Sequence, residues 1–318
     1  MSLNIDGQLR RLGELRKAQV SDGLRDEIRK ALAAKSNFVV ARAADIAKEK
    51  GLRELVPELA SAFARQIDSP ERDKGCEAKL ALIKALHELD YDDAELFIKG
   101  IRHVQMEASF GGKVDSAAGL RAASAIGLAR LRYGRVLVEL LPLLVDPAAQ
   151  VRAAAAEAIA ATGRSEGELL LRMKVLSGDR EPEVMAACFS SLLQLARESA
   201  LEFVAGYLAS AQESFRDAAA LALGTSRLPQ AFEILKGQWS AGLDERFMDV
   251  LLLALASMRD ERAMAFMLSL IQEGSHRAAL AVLRALKPFA TDERIRNQLE
   301  AAISKRGDTD LRKEFDRR

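Results

Sequence analysis

The sequence predicts an all-α fold, a solenoid of about eight helical hairpins running as one array over residues 1–318. Three observations predict it. One segment carries its own helix start and stop signals, its apolar pattern returns at nearly constant spacing, and no alternating apolar and polar run of β type competes with it.

The segment is Asp146-Pro147-Ala148-Ala149-Gln150-Val151-Arg152, continuing to Gly163. Asp146 suits an N-cap, because its carboxylate can accept from backbone N–H groups that lack a helical partner. Pro147 suits the first helical position, where no donor is lost, and Gly163 is a natural stop. Between them Val151, Ala155, Ala158, Ile159 and Thr162 form one apolar helix face.

Val151 serves as a mark for finding the same face elsewhere. It recurs at Val39, Ala78, Leu120, Val151, Val184, Phe215, Phe247 and Ala278, in steps of 39, 42, 31, 33, 31, 32 and 31 residues. Asp73, Asp115, Asp146 and Asp179 each stand five residues before a mark, which predicts four helices started alike. The intervening stretches are amphipathic too, as in Val136, Leu137, Leu140, Leu141 and Leu144. Each repeat therefore reads as two antiparallel helices, A and B, with the mark on helix B.

The run from Asp146 to Gly163, Asp-Pro-x-x-x-Val-Arg-x-x-Ala-Ala-x-Ala-Ile-Ala-x-x-Gly, resembles the signature of HEAT repeats, in particular the short bacterial type named after phycobilisome lyases. The resemblance covers roughly residues 36–290. It implies a right-handed α-α superhelix whose B helices line the concave side. It also implies a ladder of Asp and Arg between neighbouring repeats, here Asp115, Arg121, Asp146, Arg152 and Asp179. Met185 replaces the next Arg and Ser210 the next Asp, so the ladder is expected to stop near the middle of the array. Residues 1–35 are expected to be an N-terminal cap with the first helices, 36–290 the repeats, and 291–318 a polar C-terminal cap.

Composition agrees with a packed helical chain. Hydrophobic residues make up 49% and charged ones 29%, whereas aromatics are 5%, so Ala, Leu, Val and Ile must build the core. Lys and Arg number 47 against 46 Asp and Glu, which gives no bulk attraction to nucleic acid or anionic lipid. Cys76 and Cys188 fall in no pairing or metal-binding motif, and no basic leader or span-length apolar run is present. The expected compartment is the cytoplasm.

Motifs for chemistry are missing. Gly112-Lys113 is followed by Val114, where a phosphate loop needs Ser or Thr; His87-Glu88 lacks its second His, since Tyr91 stands there. With His103 and His276 the only other histidines, no metal and no cofactor are expected. The cluster Asp90, Asp92, Asp93 and Glu95 reads as helix capping.

Two features remain as a binding surface. The outward positions of the B helices, sampled by Arg42, Lys84, Ile126, Ala154, Glu157 and Ala187, give a floor that is small or apolar centrally and charged toward the ends. Ala there also serves close helix packing. Residues 102–114 interrupt the array with Met106, Phe110 and the Gly111-Gly112 pair. The plainer expectation is a surface excursion whose Phe tucks against a neighbouring repeat; the functional one is a loop holding a partner over the groove. The expectation for the whole chain is a monomeric, non-catalytic scaffold that binds a protein or peptide in its concave groove, with neither nucleic acid nor membrane as partner. Alternatives implied by resemblance are a DNA-binding protein of the alkylpurine glycosylase type and a bilin-lyase-like chaperone. The former needs a basic, aromatic groove, and the single Trp239 argues against it.

Overall fold

The fold is taken from a computed structural model, which describes residues 4–240 and 244–316. Residues 1–3 of the expected N-terminal cap and 317–318 of the C-terminal one lie outside the described residues. The chain divides into two compact units, Met1–Leu170 and Leu171–Arg318.

The first unit opens with α1 (Ile5–Lys17) and α2 (Asp22–Leu32), then α3 (Asn37–Glu49), α4 (Val56–Ile67), α5 (Glu77–Glu88) and α6 (Ala94–Arg102). A hairpin of β1 (Met106–Ser109) and β2 (Gly112–Asp115) precedes α7 (Ala118–Ala129), α8 (Val136–Leu140) and α9 (Ala149–Ala161). The unit boundary falls within α10 (Gly167–Ser177). The second unit continues with α11 (Pro182–Ala196), α12 (Leu201–Ala205), α13 (Glu213–Ser226), α14 (Ala231–Ser240), α15 (Glu245–Met258), α16 (Glu261–Glu273), α17 (His276–Leu286), α18 (Glu293–Arg306) and α19 (Thr309–Asp316).

In both units the B helices pack on one another in chain order, α3 on α5, α5 on α7 and α7 on α9, then α11 on α13, α13 on α15 and α15 on α17. The A helices cover their other side, and the stacks are HEAT-like in both order and packing. Every mark is buried or lies at the edge of the core: Val39, Ala78, Leu120, Val151, Val184 and Phe247 are at most 1% exposed. The expected all-α class is the observed one.

Small residues set how closely helices approach. A Cβ on Gly224 of α13 would overlap the backbone carbonyl of Ala254 in α15, and one on Gly127 of α7 would overlap the Phe97 ring of α6. The Ala and Gly content of the B helices thus has a packing cause, since a methyl group at such contacts has nowhere to go.

Two local expectations are corrected. Helix α9 begins at Ala149 with Ala148 as its cap, so Asp146 is not the N-cap; its carboxylate accepts from Ala148 N at 2.9 Å and from an arginine of the preceding repeat. Residues 102–114 are not an irregular loop either: Met106 pairs with Asp115, Glu107 with Val114, Ala108 with Lys113 and Ser109 with Gly112. The tight turn between them uses Gly111 and Gly112 at φ +97° and +147°, which only glycine adopts without strain.

B-helix endings differ between the units. In the first unit Gly51 and Gly163 follow α3 and α9 at positive φ, the usual solution, and Asp90 follows α5 at φ +59°. In the second unit the residues just after α11, α13 and α15 are Arg197, Arg227 and Arg259, at φ +49°, +54° and +52°. A side chain in that region costs about 1 kcal/mol or more relative to glycine.

Candidate functional site

The hairpin is mounted on a network of buried polar groups. Asp73 and Lys79 are completely buried, and Lys79 Nζ lies 3.5 Å from Asp73 Oδ2. The Asp73 carboxylate accepts from Ala78 N at 3.0 Å and Lys79 N at 2.8 Å, so it caps the start of α5; Asn37 Nδ2 donates to it at 3.1 Å. Lys79 Nζ donates at 2.9 Å to Oε1 of Gln105, itself 7% exposed. Gln105 Nε2 donates to the Asp73 carbonyl at 2.8 Å and to Glu107 at 2.6 Å. Glu107 also accepts from Gly75 N at 2.9 Å, which ties β1 to the turn before α5.

From Gln105 the network enters the ladder. Gln105 N donates to Asp115 Oδ1 at 3.1 Å, and Asp115 accepts from Ala117 N at 3.0 Å and from Arg121 Nη1 at 2.6 Å. Arg121 then holds Asp146 through Nε at 2.8 Å and Nη2 at 3.0 Å, while Nη1 also donates to the His103 carbonyl. Arg152 donates to the Asp146 carbonyl at 2.8 Å, and Asp179 is held by Lys174 at 2.7 Å. The insertion is therefore spliced into the chain of Asp and Arg, with Lys79 and Gln105 filling the step where the repeat is longest.

The electrostatics follow. Burial opposes ionisation of Asp115, but two backbone N–H groups and Arg121 outweigh it and leave the carboxyl below its usual range. The hydrogen bond from Gln105, followed by that from Gly75, lowers Glu107 likewise. Burial works against the Arg121 charge, yet its bonds to Asp146 and Asp115 raise its pKa on balance. Burial first, with the nearby Asp179 charge adding to it, pushes the Cys188 thiol up to about 12, and burial is likewise the main reason that Cys76 is raised.

On this mount Phe110 is fully exposed at the tip, and Val104, Met106 and Val114 are each more than half exposed beside it. The side chain neither tucks against a neighbouring repeat nor folds over the B helices. Met106 and Phe110 belong to an element bonded at the N-terminal ends of α5 and α7, whereas Ile126 lies eight residues into α7, about 12 Å along it. Arg42, Lys84 and Glu157 are exposed on α3, α5 and α9, and Ile126 and Ala154 half-buried on α7 and α9. In the second unit Ala187 is half-buried on α11.

Sequence reasoning missed one rung. Arg216, one residue after the Phe215 mark, donates to Asp244 at 2.6 Å and stacks over the Phe247 ring at 4.3 Å. Asp244 caps α15, accepting from Phe247 N at 3.0 Å. The ladder reappears there because this aspartate stands three residues before its mark instead of five, an offset that a fixed-spacing search passes over.

The described residues hold no group of three or more His, Cys, Asp or Glu arranged for a metal ion, and no described helix is long and apolar enough to cross a membrane. His103 bonds Gln105 at 3.1 Å and His276 bonds Asp308 at 2.7 Å. In the second unit a cleft of about 540 Å³ opens between α16 and α18, lined by Met264, Leu268, Phe289 and Ile295 among others.

No family model and no curated protein matches the chain. Among solved structures it is similar to the complex of CpcE and CpcF of phycocyanin lyase from Nostoc sp. PCC7120, at 17% identity and a TM-score of 0.43, covering 76% of this chain and 94% of that one. The expectation of a non-catalytic chain is corrected by this finding, since the similar structure is that of a lyase. A likeness so distant assigns no activity.

Proposed function

We propose that the chain works by docking a partner protein, with the 106–115 hairpin as the principal contact. One observation carries this reading: Phe110 is wholly exposed at the tip of an element whose base is fixed by buried Lys79, Gln105 and Arg121. A hairpin backbone already fixed by its mount has little entropy left to lose on binding, and exposed aromatic anchors dominate interfaces. Met106 and Val114 widen the apolar contact, and the outer edges of a two-stranded hairpin can pair with an added strand. Arg42, Lys84, Ile126, Ala154 and Glu157, on B helices of the same unit, supply further contacts in this reading.

The test is site-specific photo-crosslinking in cells of the source organism. A photoreactive residue in place of Phe110 should join one discrete protein, whereas the same residue in place of Val20, an exposed apolar side chain in the link between α1 and α2, should not. Equal labelling from both positions would refute the docking role.

A second reading is action on a bilin, the alternative that the resemblance of the repeats implies. The cleft between α16 and α18 favours it, since about 540 Å³ lies within the range of small-molecule sites. A shift in bilin absorbance on mixing, lost with Met264→Arg, supports that reading; an unchanged spectrum rejects it.

A further inference from the structure

The arginines that end α11, α13 and α15 form a surface that the hairpin does not involve. Consecutive B helices of the second unit run the same way, so Arg197, Arg227 and Arg259 all stand at one edge of their stack. Each takes a positive φ directly after its helix, whereas α3 and α9 of the first unit turn at Gly51 and Gly163, one residue further on. Compensating a helix dipole does not require this arrangement, because a cation in the last turn at ordinary φ serves as well, as Arg306 does in α18.

All three guanidinium groups face solvent. Arg197 has Glu198 at 3.7 Å, with both side chains more than half exposed. Arg227 and Arg259 meet no carboxylate among the described residues, and the nearby acids are engaged elsewhere: Asp260 by Arg262 and Glu261 by Arg294. Lys287, the residue after α17, carries the positive edge one repeat further. Two of the arginines also border clefts. Arg197 lies with Ser190, Gln194, Thr225 and Ser226 around a space of about 350 Å³, and Arg259 lies at the α16–α18 cleft.

We propose that this edge binds an extended acidic segment of a partner protein, with one carboxylate at every third residue meeting Arg197, Arg227 and Arg259 in turn. Packed helices lie about 8–10 Å apart, and a chain in the polyproline-II conformation advances about 3.1 Å per residue with three residues per turn, so every third side chain faces the edge about 9 Å from the last. A guanidinium pairs with a carboxylate through two parallel N–H donors, which gives each step its register. The serines, threonine and glutamine beside Arg197 supply donors and acceptors for the peptide backbone. A nucleic-acid strand fits less well, because Thr225, Ser226, Pro229 and Gln230 occupy the edge where bases would need aromatic faces to stack on.

Fluorescence anisotropy on the full chain tests this. The probe is a labelled peptide of about ten residues with Glu at every third position in a Gly-Ser background; the controls are a peptide of equal charge with its Glu residues contiguous, and a short oligothymidylate. The variant is Arg227→Gly with Arg259→Gly, which removes the charges and relieves the backbone, so its Tm should hold or rise. The expected result is binding of the spaced peptide about fivefold tighter than the contiguous one, weakened about tenfold or more in the variant. Undiminished binding by the variant, no preference for spacing, tighter binding of the oligothymidylate, or a fallen Tm would each overturn the proposal.

Discussion

Arg121 holds Asp146 of the following repeat through two hydrogen bonds, at 2.8 and 3.0 Å, while the same guanidinium grips Asp115 at the base of the hairpin. One side chain, 4% exposed, thus couples the stacking of two repeats to the placement of the insertion. Replacing it by Ala strands two shielded carboxylates. Arg121→Ala should lower unfolding stability by about 3–5 kcal/mol in urea denaturation, and Asp146→Asn by less, since its amide oxygen still accepts.

The hairpin's mount should weaken in acid. Glu107 and Asp115 have folded pKa values below their ordinary ones, so their stabilising contribution is complete above those ordinary values, near pH 4. It is lost as pH falls through the lower folded values. Thermal melts between about pH 5 and 2 should show a drop in Tm, and the Glu107→Gln, Asp115→Asn double variant should show a shallower drop over the same window. Parallel slopes would contradict the assigned roles.

Helix approach in the second unit sets a steric limit at Gly224. Gly224→Ala puts a methyl group on the carbonyl of Ala254 and should cost about 1–3 kcal/mol, despite the higher helix propensity of alanine. Gly237→Ala, in open surroundings on α14, should be neutral or slightly stabilising under the same denaturation assay.

Neither thiol should react in the folded protein. Cys188 is buried with a pKa near 12, and Cys76 is buried with a raised pKa, so both lack thiolate at neutral pH. A chromogenic disulfide reagent should label no more than a trace of either before urea is added, and both afterwards.

The repeat was legible because its signal is periodic. An apolar mark about every 31–33 residues over the last five steps, followed by small residues on one face, is what stacked B helices require. Gly163 announced a helix end for the same reason, since its φ of +65° suits glycine. Tertiary choices were not legible. Asp146 looked like a cap, yet Arg121 from the preceding repeat claims its carboxylate and the helix starts later. The rung from Arg216 to Asp244 escaped because the aspartate moved two residues toward its mark. The β-hairpin was hidden in a segment too short to show alternation, although Phe110-Gly111-Gly112 carries the composition of a tight turn. Buried Lys79 and Gln105 gave no signal at all, because a single Lys on a helix reads as solvated until its partners are known.

The central claim is that Phe110 anchors a partner. The most direct measurement compares the partner affinity of the wild-type chain with that of Phe110→Asp and Val20→Asp, each with its Tm. Since Phe110 touches nothing in its own chain, Tm should move by no more than about 0.5 kcal/mol equivalent. Affinity should fall by about thirtyfold or more for Phe110→Asp alone. Retained affinity in Phe110→Asp, or an equal loss in Val20→Asp, would contradict the account.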